Sequence, residues 1–242
     1  MIQHKKRLVV NGCSYMKNYT KGDGHAELAK LLGIDNYACL SQDGSGNDRI
    51  FRSTLRDSYT DIPTLYLIGV TFVHRLELPI GRHATRWMSI SGSIMGSGAI
   101  YEKASKELLT KLDPKISFND IKKFFELREK LYFSASVAVL DDLKYRIFML
   151  IDSIKSRGHS VVIFNTAEEQ IVGMFGPNDL KYSEIVDDFK WFSNLWQFEQ
   201  GEPWDPTDES LGLPIMYRHV KSGNHIKFND YIVDYINKNI ND

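Results

Sequence analysis

Three short apolar runs restrict the fold more than any other feature of the chain: RLVVN at 7–11, PTLYLIGV at 63–70 and HSVVIFNT at 159–166. Each is rich in β-branched residues, too short for a core helix, and bounded by glycine, proline or a polar turn, so each reads as a buried strand. DNYACLS at 35–41 is a plausible further strand. Helical segments lie between them. HAELAKLL at 25–32 ends at Gly33, a natural C-terminal cap, and NDRIFRSTLRDS at 47–58 turns Ile50 and Leu55 inward with Phe51 beside them. The order β-α-β-α-β with short connections is that of a parallel sheet covered by helices. The expected fold is therefore α/β, a three-layer α/β/α sandwich of flavodoxin-like type with four to five parallel strands.

The regular alternation breaks after the 63–70 strand. Residues 76–135 hold the Gly- and Ser-rich stretch LPIGRHATRWMSISGSIMGSGAI, a helical piece near 99–112 and a helix that Ser117 or Asn119 can cap. This region reads as a mainly helical insertion, a lid or a partner surface, within a single domain spanning 1–242. A homo-oligomer would form through it. A long helix over 134–157 ends at Gly158. Residues 180–200 read as a helix carrying Trp191, Phe192, Trp196 and Phe198, aromatics that suit a core or a sugar platform. A loop at 201–214 leads to a closing amphipathic helix at 225–240, with Ile226, Tyr231 or Ile232, Tyr235 and Ile236 on one face.

Composition narrows the function classes. Lys and Arg total 30 against 31 Asp and Glu, a net charge of −1, so no bulk field favours nucleic acid or a membrane surface. The two cysteines, Cys13 and Cys39, make neither a disulfide framework nor a CxxC metal site. The pair His219 and His225 has no clustered carboxylate or thiol beside it to complete a metal centre. No metal and no cofactor is expected. The N-terminus lacks the apolar length of a signal peptide, and no apolar run is long enough to span a bilayer, so the expected compartment is the cytoplasm.

In open parallel sheets, functional groups gather beyond the carboxyl ends of the strands. There the chain places Gly12-Cys13-Ser14, then Gly44-Ser45-Gly46-Asn47, then Gly69-Val70-Thr71 followed by His74 and Arg75; His219 and His225 precede or open the last helix. Taken in order, these blocks resemble the SGNH hydrolases, also called the GDSL esterase and lipase superfamily, over most of the chain outside 76–135. In that family a strand ends in Gly-Asp-Ser; here it is Gly12-Cys13-Ser14, with cysteine for aspartate. LSQDGSGNDRI looks like the second block. The third block, Gly-x-Asn-Asp in the family, is here Gly69-Val70-Thr71-Phe72. HVKSGNH matches the last block at its histidines, with Met216 where the family has aspartate. The resemblance belongs to a divergent branch opening on Gly-Cys-Ser.

The resemblance implies an ester hydrolase acting through an acyl-enzyme on Ser14, on a small-molecule or carbohydrate ester such as an O-acetylated sugar. His219 would be the base and Asp208 the orienting acid, with Asp205 and Glu209 as neighbours able to serve. The N–H groups of Ser14 and Gly44 would hold the oxyanion, with Thr71 or Asn47 in place of the missing asparagine. Cys13, His74, Arg75 and His225 would line the substrate site. An O-acyltransferase differs only in the acceptor. The rival class is a non-catalytic binding module, which the missing aspartate and asparagine favour. Each residue also has a plainer role: Ser14 as a turn or helix cap, Cys13 as a small buried residue, Gly44 and Gly46 as loop glycines, His219 as a surface histidine, His225 as a helix-start residue, and His74 and Arg75 as a solvated loop. A dinucleotide-binding domain is disfavoured, because NGCSYMKNYTKGDG is not a GxGxxG turn.

Overall fold

The computed structural model describes residues 5–21, 23–42, 45–71, 76–80, 86–90, 136–166, 182–186 and 225–240, with single positions between 117 and 130. Five strands form one parallel sheet. They are β1 (Arg7–Asn11), β2 (Asn36–Cys39), β3 (Thr64–Val70), β6 (Ser160–Asn165) and β7 (Ile185–Val186), in the order β2-β1-β3-β6-β7. Val9 lies opposite Ala38 on one side and Tyr66 on the other, Ile68 opposite Ile163, and Phe164 opposite Val186. Order reverses between β1 and β3, the place where such sheets open a crevice beyond their carboxyl ends.

Period-two alternation divides the core between the two faces. Leu8, Val10, Leu65, Leu67, Val162 and Phe164 point to one side. There they meet α1 (Ser14–Lys21), α2 (Gly24–Leu31) and α5 (His225–Asn239) through Met16, Tyr19, Leu28, Phe228, Ile232 and Ile236. Val9, Tyr66, Ile68, Val161 and Ile163 point to the other side, against α3 (Asn47–Asp57) and α4 (Ser136–Lys155). The molecule is thus a three-layer α/β/α sandwich, as the apolar runs lead one to expect.

Two glycines stop helices so that strands can start. Gly33 and Gly158 have φ of 68° and 78°, a region costly for residues with a Cβ. At each, the next N–H reaches back to the helix: Ile34 to the Ala29 carbonyl at 2.8 Å, and His159 to the Ile154 carbonyl at 3.3 Å. The His159 ring then bridges the amino ends of the strands. Its Nδ1 accepts from the Thr64 N–H at 3.3 Å, so Nε2 carries the proton and donates to the Ser58 carbonyl at 3.0 Å.

Several elements depart from the sequence reading. Helix α1 was not among the expected helices; SYMKNYTK is polar on average but places Met16 and Tyr19, the buried ones among its described side chains, at helical i, i+3 spacing. Residues 182–186, expected within a helix, instead supply the two-residue strand β7, which is too short to show any period. The expected insertion opens with an antiparallel hairpin, β4 (Leu76–Ile80) and β5 (Arg86–Ile90), with Pro79 opposite Trp87. A two-stranded ribbon has only edges, which is where proline is tolerated in a strand. On α5 the buried stripe is Phe228, Ile232, Ile236 and Ile240, with Tyr231 and Tyr235 only partly covered. Residues 91–116 and 187–224 lie outside the described residues.

Near the amino ends of the strands, Arg7 makes a two-pronged ion pair with Asp57 at 3.0 and 3.1 Å, and the Tyr66 hydroxyl donates to Asp57 Oδ2 at 2.9 Å. Burial, and then the bond and charge of Asp57, push the Tyr66 hydroxyl well above its ordinary pKa of 10.0. A pKa raised in the folded state means stability that is complete below the unfolded value and lost as pH rises above it. We therefore expect the urea midpoint to fall between about pH 8 and about pH 11, and to fall less in Tyr66→Phe. Equal falls in the two proteins would show that Tyr66 does not contribute.

Candidate active site

The carboxyl ends of β1, β3 and β6 meet in a set of close polar contacts. Asn11, the last residue of β1, is fully buried. Its amide faces the Ile50 carbonyl, Ser53 Oγ and Thr54 Oγ1 of α3 at 2.8–2.9 Å, while its Oδ1 accepts the Gly12 N–H at 2.9 Å. One side chain therefore joins the end of β1 to α3 and fixes the turn that follows. Leaving such groups unpaired in a core costs about 1–3 kcal/mol each.

That turn is very tight. A Cβ on Gly12 would lie 2.4 Å from Met16 Cγ and 3.1 Å from the Gly69 carbonyl oxygen. A Cβ on Gly69 would lie 2.7 Å from Thr166 Cγ2 and 2.8 Å from Met16 Cγ. The two strand ends thus close around Met16, which is fully buried. Helix α1 starts immediately after, with the Lys17 N–H on the Cys13 carbonyl at 3.0 Å. Ser14 is its first residue, at the carboxyl edge of the sheet beside the switch point. Cys13 is closed from solvent, its Sγ 3.8 Å from Thr166 Oγ1. Thr166 in turn ties β6 to β3, its hydroxyl donating to the Val70 carbonyl at 2.7 Å and its N–H at 2.9 Å.

Asn47 begins α3 and faces the residue after β3. Its Nδ2 donates to the Thr71 carbonyl and its Oδ1 accepts the Thr71 N–H, both at 2.8 Å. This pair of bonds mimics a strand ladder and commits one of the two amide protons. The Thr71 hydroxyl is buried with no hydrogen-bond partner among the described residues. Before α3, Ser45 is fully buried and receives Arg49 Nη1 at 3.0 Å; Arg49 also donates to the Leu40 carbonyl at 3.2 Å. Arg49 so draws the loop after β2 toward α3.

Of the residues picked out from the sequence, the structure brings Cys13, Ser14, Asn47 and Thr71 to this one edge. His225 is the first residue of α5. Gly44, His74, Arg75, Asp208 and His219 lie outside the described residues, as do Asp205, Glu209 and Met216. Among the described residues no group of three His, Cys, Asp or Glu side chains could hold a metal ion, and no helix is long and apolar enough to cross a membrane. Sequence reasoning missed Asn11, Met16, Arg49 and Thr166. Asn11 and Thr166 carried a signal, since each is a polar residue closing an apolar run.

No protein-family model matches this chain, and no curated protein sequence matches it. Among solved structures it is similar to the crystal structure of a "putative acylhydrolase" from Bacteroides fragilis, with 11% identity and a TM-score of 0.39 over 96% of this chain and 87% of the other. A likeness at that score transfers neither residues nor activity.

The packing around Gly12 makes a measurable claim. Gly12→Ala is expected to destabilise the protein by about 1–3 kcal/mol, the usual cost of overpacking a core. Met16→Ala in the same chain removes the closest clash, so the double variant should lose less than the sum of the single ones. Strict additivity in urea denaturation would refute the contact.

Proposed function

We propose that this chain is a serine acyl hydrolase of the SGNH type, cleaving a small ester such as an O-acetyl group on a carbohydrate. The observation that carries the reading is the place of Ser14: first residue of a helix, directly after a buried parallel strand, at the edge beside the switch point. A nucleophile held there stands where an open α/β sheet offers its crevice, with the positive end of a helix beneath it.

In this reading Ser14 Oγ attacks the acyl carbon while His219 takes its proton, and the carbonyl oxygen becomes an oxyanion. The N–H groups of Ser14 and Gly44 receive that oxyanion, with the Thr71 hydroxyl as third donor. Thr71 Oγ1 is buried with no partner among the described residues, which supports the last assignment, because a bound oxygen would relieve a desolvation cost of about 1–3 kcal/mol. His219 then gives the proton to the departing alkoxide oxygen, and water, activated by the same imidazole, frees the acid and restores Ser14. Asp208 orients the imidazole. His74, Arg75 and His225 border the substrate; Cys13, expected from the sequence to join them, is instead part of the closed core and does not reach it. A sugar hydroxyl in place of water would make the same site an O-acyltransferase.

One observation favours a second reading, a ligand-binding module without catalysis. The family's aspartate position holds Cys13, closed from solvent and turned to Thr166.

A fluorophosphonate probe separates the two. Labelling of the folded wild type, abolished in Ser14→Ala and lowered by about 10⁴-fold or more in His219→Ala, is the expected result. Asp208→Asn should slow ester hydrolysis by up to about 10⁴-fold if it orients the base. A folded wild type that takes up no probe would overturn the hydrolase and leave the binding module.

A further inference from the structure

We propose that Tyr19 and Asn229 are positioning residues, whose buried hydrogen bond fixes the start of α5 against the helix that Ser14 begins. The inference rests on the Ser14–histidine reading above. Tyr19 and Asn229 are separated by 210 residues and both fully closed from solvent. The Tyr19 hydroxyl lies 2.6 Å from Asn229 Oδ1 and 2.8 Å from the Gly24 carbonyl oxygen, and Asn229 Nδ2 donates to that same carbonyl at 3.0 Å. Three elements, α1, the start of α2, and α5, are thereby closed into one polar knot.

The chain bends to make it. Asp23, between α1 and α2, takes φ of 59°, a conformation costing a non-glycine residue about 1–2 kcal/mol. A Cβ on Gly24 would lie 2.3 Å from Tyr19 Cε2, so the α2 backbone rests directly on the ring. Phe228, beside Asn229, stands edge-on to Tyr19 at 5.3 Å and against Phe164 at 5.2 Å, which seats the first turns of α5 near the carboxyl end of β6. Tyr235, nearly two turns later, donates toward the carbonyls of Ser183 and of Ile185, the first residue of β7. Helix α5 therefore starts at the catalytic edge and runs away from it.

Apolar contact alone leaves such a helix free to slide or roll. The stripe of Ile232, Ile236 and Ile240 is similar at each turn, whereas a buried hydrogen bond is directional and costly to break. Tyr19 is five residues into α1 and Asn229 four into α5, or about 7.5 Å and about 6 Å of helix from their first residues. The bond thus sets Ser14 and His225 relative to one another. His219 is six residues further upstream in sequence. Burial, and secondarily the charge of Glu27, hold the Tyr19 hydroxyl well above its usual pKa, so it stays a donor at neutral pH.

The test compares two deletions of one buried hydroxyl. Tyr19→Phe removes the clamp; Tyr66→Phe removes the bond to Asp57 on the opposite face of the sheet. The rate of fluorophosphonate labelling at Ser14 is measured against pH, with folded fraction controlled by circular dichroism and urea midpoint. We expect Tyr19→Phe to label about 10- to 100-fold more slowly, with the midpoint of its pH profile displaced, and Tyr66→Phe to label as wild type. Should Tyr19→Phe fail to fold, Asn229→Ala keeps the Tyr19–Gly24 bond and is expected to show the same slowing. Labelling at the wild-type rate and pH midpoint in the folded clamp variants overturns the inference and leaves the hydrolase standing. Absence of labelling in the wild type removes both.

Discussion

Strand β3 is buried along all seven of its residues, and the rest of the architecture follows from that condition. A backbone removed from water on every side must find hydrogen-bond partners within the protein. β1 and β6 supply them on its two edges in parallel register. The two faces need cover as well, and parallel connections deliver helices to do it. Helices α1, α2 and α5 shield one face, α3 and α4 the other. Loops and polar groups are left to the two ends of the sheet: Arg7, Asp57, Tyr66 and His159 tie the amino end together, and Asn11, Asn47, Thr71 and Thr166 gather at the carboxyl end.

Polar side chains at that edge mostly serve the backbone. Asn11 holds α3, Asn47 completes the end of β3, and Thr166 ties β6 to β3. Each satisfies groups that would otherwise be orphaned as the strands diverge. Against this background two buried hydroxyls, those of Ser41 and Thr71, have no hydrogen-bond partner among the described residues. Cys13 is a further departure. A carboxylate in its place would be a buried charge, whereas a thiol costs little to bury. The position before Ser14 therefore carries a buried thiol, continuous with the core.

The layers were legible because they depend on patterns that composition preserves. RLVVN, TLYLIGV and SVVIFN are strands to within a residue of their apolar limits, and Gly33 and Gly158 mark real helix ends. An element of low mean apolarity and one of two residues were not. Helix α1 buries Met16 and Tyr19 among polar neighbours, and β7 consists of two residues paired to Ile163 and Phe164. At the site, Ser14 and Thr71 were found because they follow apolar strands. Asn11 and Thr166 were passed over although they close such strands, because their role is visible only when the opposing element is in place. The approach of Gly12 and Gly69 around Met16 joins residues more than fifty positions apart, and nothing local in the sequence records it.

The last helix raises the same difficulty over a greater distance. Its apolar stripe repeats isoleucine at every fourth residue, at 232, 236 and 240, so apolar contact alone distinguishes one register from the next only weakly. A tyrosine and an asparagine remove the choice, since their bond can form at one register only. The cost is a bent junction at Asp23 and a glycine at position 24 that no larger residue could replace without moving the ring. Neither feature would be needed for the helix merely to bury its stripe, for Phe228, Ile232 and Ile236 accomplish that by themselves. The added precision applies to where α5 begins, and it ties that start to the helix that Ser14 opens.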